Sequence, residues 1–337
     1  MYFLAATTAL ALTALKPGAW VYAQNASTET TCQQIAASLS LASSVYYPGT
    51  AEDVGIILQI LGENQTPFAV KDGGHIMNPG YSSTPGVTIA MTRFDTVNYD
   101  SDTETVEFGT GLVWDDVYKA LDPYNVNVVG GRVSGIGVSG YTLGGGYSWL
   151  TNQYGLTLDT IQAFELVLPN GSIVNVTDSN NPDLFYGLKG GYNNFGIVTT
   201  FTLKTFPQGE VWAGQVTYSG AEVQAVTDAT YNFANYIVDP KAAIITTYDY
   251  IGGALVSSVI MFYDAPTPPP GIFDDFIAVP SLASTVATQS FLSFILSSVE
   301  EVSLNCRYHF CLSNVYLYPH QSFVADFTTR LQWSELH

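Results

Sequence analysis

The chain has 337 residues, 47% of them hydrophobic and 12% charged, which excludes a disordered polymer and leaves room for two domains around a large core. Ten basic residues stand against 29 acidic ones, a net charge of −19, which argues against nucleic acid and anionic membrane surfaces as partners. The same imbalance means that any bound phosphate has to be held mainly by backbone N–H groups.

Met1–Leu15 is apolar, and Val21-Tyr22-Ala23 places small residues at a cleavage site. Residues 1–23 therefore read as a secretory signal peptide and the protein as secreted, although Lys16-Pro17 interrupts the run. No later stretch approaches the roughly 20 apolar residues of a membrane span. Four N-x-S/T sequons, at Asn25, Asn64, Asn170 and Asn175, agree with glycosylation in the secretory route. Cys32, Cys306 and Cys311 make an odd count. Cys306 and Cys311 with His309 between them fit a local disulfide better than a metal site, since no fourth ligand is evident.

Pro48-Gly49-Thr50 opens a helix, with Thr50 and Asp53 as a capping box and Val54, Ile57, Leu58 and Leu61 as its apolar face. Phe68-Ala69-Val70 reads as a short buried strand that runs into Lys71-Asp72-Gly73-Gly74-His75, and Asn78-Pro79-Gly80 turns the chain. Val87–Met91 is a strand, and Thr96–Tyr99 with Thr105–Phe108 is a hairpin. Trp114, Val117, Tyr118 and Leu121 mark a second amphipathic helix, stopped at Pro123. Beyond a glycine-dense tract, Ile161–Leu168 and Ser172–Val176 form a hairpin about Pro169-Asn170-Gly171. A helix runs from Asn181-Pro182-Asp183 to Leu188, and Gly196–Thr205 is a β-branched strand. After Pro207-Gln208-Gly209 glycine thins out. Strands are expected over Val211–Tyr218, Ile244–Tyr250, Leu255–Tyr263 and Val315–Leu317, with helices over Ala221–Val238 and Val286–Glu301. The division expected is a first domain over 40–209 and a second, α+β domain over 210–337.

Two glycine tracts carry the chemistry. Gly73 and Gly74 let main chain approach a bulky anion, with His75 at the lip of the loop; on this loop alone a plain turn beside an incidental histidine serves as well. Gly135-Ile136-Gly137-Val138-Ser139-Gly140 satisfies G-x-G-x-x-G. A dinucleotide-binding βαβ unit is nevertheless rejected. No clean strand precedes Gly135, and Gly144–Gly146 in the early turns of a helix would cost about 1 kcal/mol each. The alternative is a floor of bare main chain along Gly130, Gly131, Gly135, Gly137, Gly140 and Gly144–Gly146, suited to a long flat anionic cofactor. A ligand-free array of glycine turns is the other reading.

Taken together, Gly73-Gly74-His75, Gly130-Gly131-Arg132-Val133-Ser134-Gly135, Leu143-Gly144-Gly145-Gly146-Tyr147-Ser148-Trp149-Leu150, Gln153-Tyr154-Gly155-Leu156, Glu165–Gly171 and Asn194-Phe195-Gly196-Ile197-Val198 resemble the FAD-linked oxidases of the vanillyl-alcohol-oxidase superfamily. The likeness is closest to the secreted fungal members of the berberine-bridge-enzyme-like group. It implies an α+β fold, with a two-lobed PCMH-type FAD-binding domain followed by a substrate domain. It also implies FAD contacts from Lys71, Asp72, Gly73, Gly74, His75, Asn78, Gly80, Tyr81, Gly131, Val133, Ser134, Gly137, Gly140, Tyr141, Leu143, Gly144, Gly145, Tyr147, Gly155, Gly196, Ile197 and Val198, with a covalent bond from His75 to the flavin 8α-carbon. Bicovalent relatives add a cysteine where this chain has Val133, so a single link is expected. Asp72 stands where relatives often carry a small residue, and Ser139 where they often carry glycine.

The C-terminal segment in which the family carries an Asn-Tyr motif and a proline-aspartate-phenylalanine stretch does not appear before the chain stops at His337, so an incomplete substrate domain is expected, with the catalytic base unassigned. Tyr248, Asp249 and Tyr250 are options in sequence, more readily explained as structural. The activity implied is hydride transfer from a carbohydrate or a secondary-metabolite alcohol or amine to flavin, with O2 as acceptor. The alternative is a catalytically inactive flavin- or ligand-binding secreted glycoprotein. Neither G-x-S-x-G nor H-E-x-x-H occurs, which argues against a serine hydrolase and a zinc enzyme.

Overall fold

The computed structural model describes residues 49–76, 84, 86–251 and 253–298. The signal-peptide stretch, Asn25, the three cysteines, Asn78, Gly80, Tyr81 and the strand expected at Val315–Leu317 lie outside the described residues. The chain divides into two compact units, with the break between Ala213 and Gly214. The first unit takes back Asp264–Thr267 and the segment from Ala287; the second holds Gly214–Tyr263 and Pro268–Val286.

The first unit starts with helix α1, Ala51–Glu63, entered through the expected box. Thr50 Oγ1 accepts the Asp53 N–H at 3.3 Å, and Asp53 Oδ2 accepts the N–H groups of Gly49 and Thr50 at 3.1 and 3.4 Å. Its apolar face packs on Val87, Ile89 and Met91, and on Val167 and Ile197. Val87 and Ile89 belong to strand β2 (Val87–Ala90), which pairs in parallel with β1 (Phe68–Lys71). β1 is a strand as expected but not a buried one: Phe68 is 44% and Val70 39% exposed. The reason is its position. Among the described residues β1 pairs with β2 alone, and the core under α1 is built from β2 side chains rather than from its own.

The main sheet is antiparallel, in the order β3 (Val97–Asp100), β4 (Thr105–Gly109), β8 (Ile197–Lys204), β6 (Ile161–Val167), β7 (Ile173–Thr177). Both expected hairpins are present, as β3–β4 and β6–β7. Phe108, Phe164 and Phe201 form its aromatic spine, with ring centroids 5.8 and 5.9 Å apart. Helix α2 (Trp114–Leu121) adds Trp114 at 5.6 Å from Phe108. A 3-10 turn containing Pro123 ends α2, and a two-residue strand β5 (Val126–Asn127) follows.

The glycine tract holds a six-residue helix, α3 (Val138–Leu143), capped by Gly137 and ended at Gly144. This corrects the expectation that no helix follows the G-x-G-x-x-G run. Gly144–Gly146 fall after the helix, so the penalty weighs on Gly140 alone. The dinucleotide reading still fails on its other ground, because residues 128–136 contain no strand. Further on come α4 (Thr151–Tyr154), α5 (Pro182–Leu188) and β9 (Phe206–Pro207), which pairs with β5.

In the second unit the sheet order is β11 (Ala242–Ile251), β12 (Ala254–Tyr263), β10 (Val211–Ser219), β13 (Ala283–Ser284). Helix α6 (Val223–Tyr236) covers it through Thr230–Thr246 and Thr227–Tyr248 hydroxyl pairs of 3.0 and 2.9 Å. A one-turn helix, α7 (Asp274–Ile277), accepts the Tyr218 hydroxyl at the Phe276 carbonyl, 3.0 Å away.

The single helix expected over Val286–Glu301 is instead strand β14 (Ala287–Gln289) followed by helix α8 (Phe291–Ser297) in the first unit. Ala287–Gln289 pair with Val211–Ala213 at the start of β10, and Ser290 caps α8 by accepting the Ser293 N–H at 3.1 Å. Ladder bonds outcompeted helix over the first turn, and the serine cap marks where the helix could begin.

Candidate functional site

The two glycine tracts meet within the first unit. A Cβ built on Gly73 would lie 2.7 Å from the Gly137 Cα, and one built on Gly137 would lie 2.8 Å from the Gly73 nitrogen. The two backbones touch because neither residue carries a side chain. His75 is two residues beyond Gly73, so its Cα is within about 8 Å of this contact. Lys71, Gly73, Gly74 and His75 are exposed, and Gly74 has a positive φ of 69°.

Asp72 staples the tracts. Its Oδ2 accepts the Ser139 N–H at 2.9 Å, at the start of α3, where Gly137 offers no capping side chain. Ser139 Oγ donates to the Thr110 carbonyl at 2.8 Å. Burial raises the Asp72 carboxyl above the usual carboxylate range, against the lowering effect of its bonds to Ser139 and Gly73 and of Lys71. Lys71 Nζ donates to the Asp72 carbonyl at 3.2 Å.

The 130–135 segment is fixed from below by aromatic donors. Tyr141 donates its hydroxyl to the Gly130 carbonyl at 2.9 Å, Tyr118 to that of Gly131 at 2.7 Å, and Trp149 Nε1–H to that of Arg132 at 3.0 Å. Asp115 holds the end of the segment, its Oδ2 accepting Ser134 Oγ–H at 2.7 Å and the Gly135 N–H at 3.1 Å. The Arg132 guanidinium lies 4.9 Å from the centre of the Tyr147 ring. Burial pushes the Tyr118 and Tyr141 phenols well above their ordinary value, which suits protonated donors to the Gly131 and Gly130 carbonyls.

The floor is less bare than its sequence implies. Cβ atoms on Gly130 and Gly131 would collide with the Trp114 ring at 2.4 and 2.5 Å, on Gly144 with the Tyr192 hydroxyl at 2.5 Å, and on Gly146 with Thr157. Those glycines make room for the protein's own side chains. Gly135 and Gly140 face open space, with nothing within 4 Å. Ile197 and Val198 are buried, and Ile197 belongs to the core under α1; a Cβ on Gly196 would meet the Val167 carbonyl at 2.3 Å. Val133 and Leu143 are half-buried, Gly145 has a φ of 118°, and Gly155, with a φ of 87°, caps α4.

Sequence reasoning missed Thr110, Trp114, Asp115 and Tyr118 as parts of the site. The usable signal was Trp114 and Tyr118 one helical turn apart, opposite a Gly-Gly pair: large rings need neighbours without Cβ.

The residues fit a large polar cofactor. Five buried side-chain polar atoms among the described residues have no partner, and four of them surround these tracts: Asp72 Oδ1, Thr110 Oγ1, Trp114 Nε1 and Asp115 Oδ1. Leaving such an atom unpaired costs about 1–3 kcal/mol. A ligand carrying both hydroxyls and phosphate oxygens would supply acceptors and donors in one molecule.

The fold is α+β, of the PCMH-type FAD-binding class. Residues 42–177 match the FAD binding domain family. An uncharacterized FAD-linked oxidoreductase of Arthroderma benhamiae is 39% identical over 264 residues, covering 77% of this chain and 53% of that protein. An FAD-dependent monooxygenase of Aspergillus calidoustus is 38% identical over 259 residues, 74% of this chain and 50% of that protein. Among solved structures, the glucooligosaccharide oxidase from Acremonium strictum, which carries a 6-S-cysteinyl, 8α-N1-histidyl FAD, shares the fold. Its TM-score is 0.64 at 23% identity, over 79% of this chain and 57% of that one. The chain spans about half the length of the curated relatives it matches. Residues 42–177 thus carry an FAD binding domain, and the chain is similar, over about half of their length, to FAD-linked oxidoreductases.

Proposed function

We propose that the chain binds FAD between the 71–75 loop and the 130–147 segment, joined through His75 alone, and serves an oxidase that takes hydride from a carbohydrate or a secondary-metabolite alcohol or amine. The observation that carries this reading is the contact of Asp72 and Gly73 with Gly137 and Ser139, which makes one site of two distant tracts. Bound FAD supplies a two-electron acceptor and passes the electrons to O2. The protein's part is to hold it. Main-chain N–H groups near Gly74 and Gly140 receive the phosphates, Trp114 and Thr110 offer further donors, and His75 is the point of attachment. Val133, where bicovalent relatives have cysteine, leaves His75 as the single link.

The test is the mass of the denatured protein after expression with FAD. One added FAD is expected, absent in His75→Ala; release of all flavin by acid from the unmutated protein would refute the link. Flavin bleaching and H2O2 release on panels of sugars and aromatic alcohols then sort the substrate class. Relatives named monooxygenases favour oxygen insertion as the second reading. Substrate oxidised without matching H2O2 would select it.

Export and glycosylation complete the reading. Asn64, Asn170 and Asn175 are exposed, as glycan acceptors need to be. A mobility shift on enzymatic deglycosylation of protein secreted from a fungal host is expected; no shift would remove that part.

A further inference from the structure

The two oxygens of Asp72 stand in different situations. Oδ2 caps the start of α3 from 67 positions away in sequence, through the Ser139 N–H. Oδ1 is buried with no partner among the described residues. The residue after Asp72 rests against Gly137, and His75 is two further on. Ser139 is itself tied down by its bond to the Thr110 carbonyl. The loop that carries His75 is thus joined to a rigid element through the Asp72 carboxylate, while Gly73, Gly74, His75 and Ile76 are all exposed.

We propose that Asp72 is a positioning residue: by holding Ser139 it sets the His75 loop on the start of α3, in the pose in which a His75 ring nitrogen would bond the flavin 8α-carbon. That C–N bond replaces one methyl C–H and one imidazole N–H bond, with both hydrogens and the electron pair passing to the flavin and then to O2 as H2O2. The inference rests on the covalent reading given above.

A carboxylate beside an anion-binding loop needs such a reason. It brings negative charge near main-chain N–H groups offered to phosphate, and Lys71, on its own strand, is the cation set against it. Gly137 and Ser139, which meet it, and Thr110, which holds Ser139, carry no charged side chain. The unpaired Oδ1 suits a hydroxyl of the cofactor better than a phosphate, since a carboxylate accepts hydrogen bonds and repels anions. Asparagine keeps an oxygen that can accept the Ser139 N–H; alanine does not.

The experiment compares the unmutated chain, Asp72→Asn and Asp72→Ala, each purified free of flavin and incubated with FAD. Acid-stable flavin is followed over time, and hydrogen exchange of residues 72–76 is measured before FAD is added. Attachment in Asp72→Ala is expected to slow at least tenfold with faster exchange in the loop, while Asp72→Asn stays within about threefold of the unmutated protein in both. Attachment by Asp72→Ala at the unmutated rate overturns the inference, as does failure of Asp72→Asn to the same degree as alanine. If the unmutated chain itself acquires no acid-stable flavin, the covalent reading has failed. The exchange data then decide the clamp: unchanged loop exchange in Asp72→Ala overturns it.

Discussion

Gly137→Ala and Gly140→Ala, three residues apart, are expected to move stability in opposite directions. Gly137 has φ −64° and ψ 143°, a conformation open to any residue, so alanine there meets no backbone strain. Space is the difficulty. The new methyl would sit 2.7 Å from Asp72 Oδ2 and 2.9 Å from the Gly73 Cα, where carbon contacts settle near 3.5–4.0 Å. The 72–73 segment must therefore retreat by about 1 Å, and overpacking of that kind costs about 1–3 kcal/mol. Lower entropy of the unfolded chain offsets about 0.4–1 kcal/mol. The net loss is about 1–2 kcal/mol, or a Tm lower by roughly 2–8 °C for a domain of this size. Gly140 lies inside α3 with open space around it, so alanine adds about 0.5–1 kcal/mol and raises Tm by roughly 1–4 °C. Thermal melts of the flavin-free proteins read both. A Gly137→Ala Tm at or above the unmutated value would refute the contact between the tracts. Adding FAD makes a second test, since the Gly140→Ala methyl points into the space assigned to the cofactor. Stabilised protein that binds FAD unimpaired would show that the cofactor does not reach Gly140.

Tyr118→Phe removes the donor to the buried Gly131 carbonyl and should cost about 1–3 kcal/mol, read by urea unfolding. In the second unit, Thr230→Val should cost about as much by stranding the buried Thr246 hydroxyl, whereas the Thr230→Val/Thr246→Val double variant should recover most of the loss. A double variant that is the sum of two large losses would show that the pair is not one interaction. Asp72 gives a pH signature. Its folded carboxyl titrates above its unfolded value, so the folded state binds the extra proton and stability falls as pH rises between the two values. The penalty is complete above the folded value and absent below the unfolded one. Tm of the unmutated protein minus that of Asp72→Asn should therefore decline from pH 4 upward, then level; a flat difference would contradict the burial of Asp72.

Elements set by local chemistry were legible in the sequence. The Thr50–Asp53 box and the Pro169-Asn170-Gly171 turn each carry their determinants within a few residues. Placements set by distant partners were not. The exposure of Phe68 depends on what covers β1, not on its alternation. Ala287–Gln289 became strand because Val211–Ala213 offered a ladder, which no local signal announces. At the site, His75 and the glycines were readable, whereas Asp72 acquired a role only when α3 brought the Ser139 N–H to it.

Glycine density was therefore a mixed signal, and separating its parts changes how the site works. Gly130 and Gly131 lie on the Trp114 ring, and the carbonyls of residues 130, 131 and 132 are each tied to a separate ring donor. A segment anchored in this way is rigid before any ligand arrives, so binding has little left to order there. The His75 loop is the opposite case, exposed and tied to α3 through the Asp72 carboxylate. The ordering cost of accepting a large cofactor is concentrated in that loop. Damage to the aromatic supports should then appear first as lost stability, and damage to Asp72 first as slow attachment.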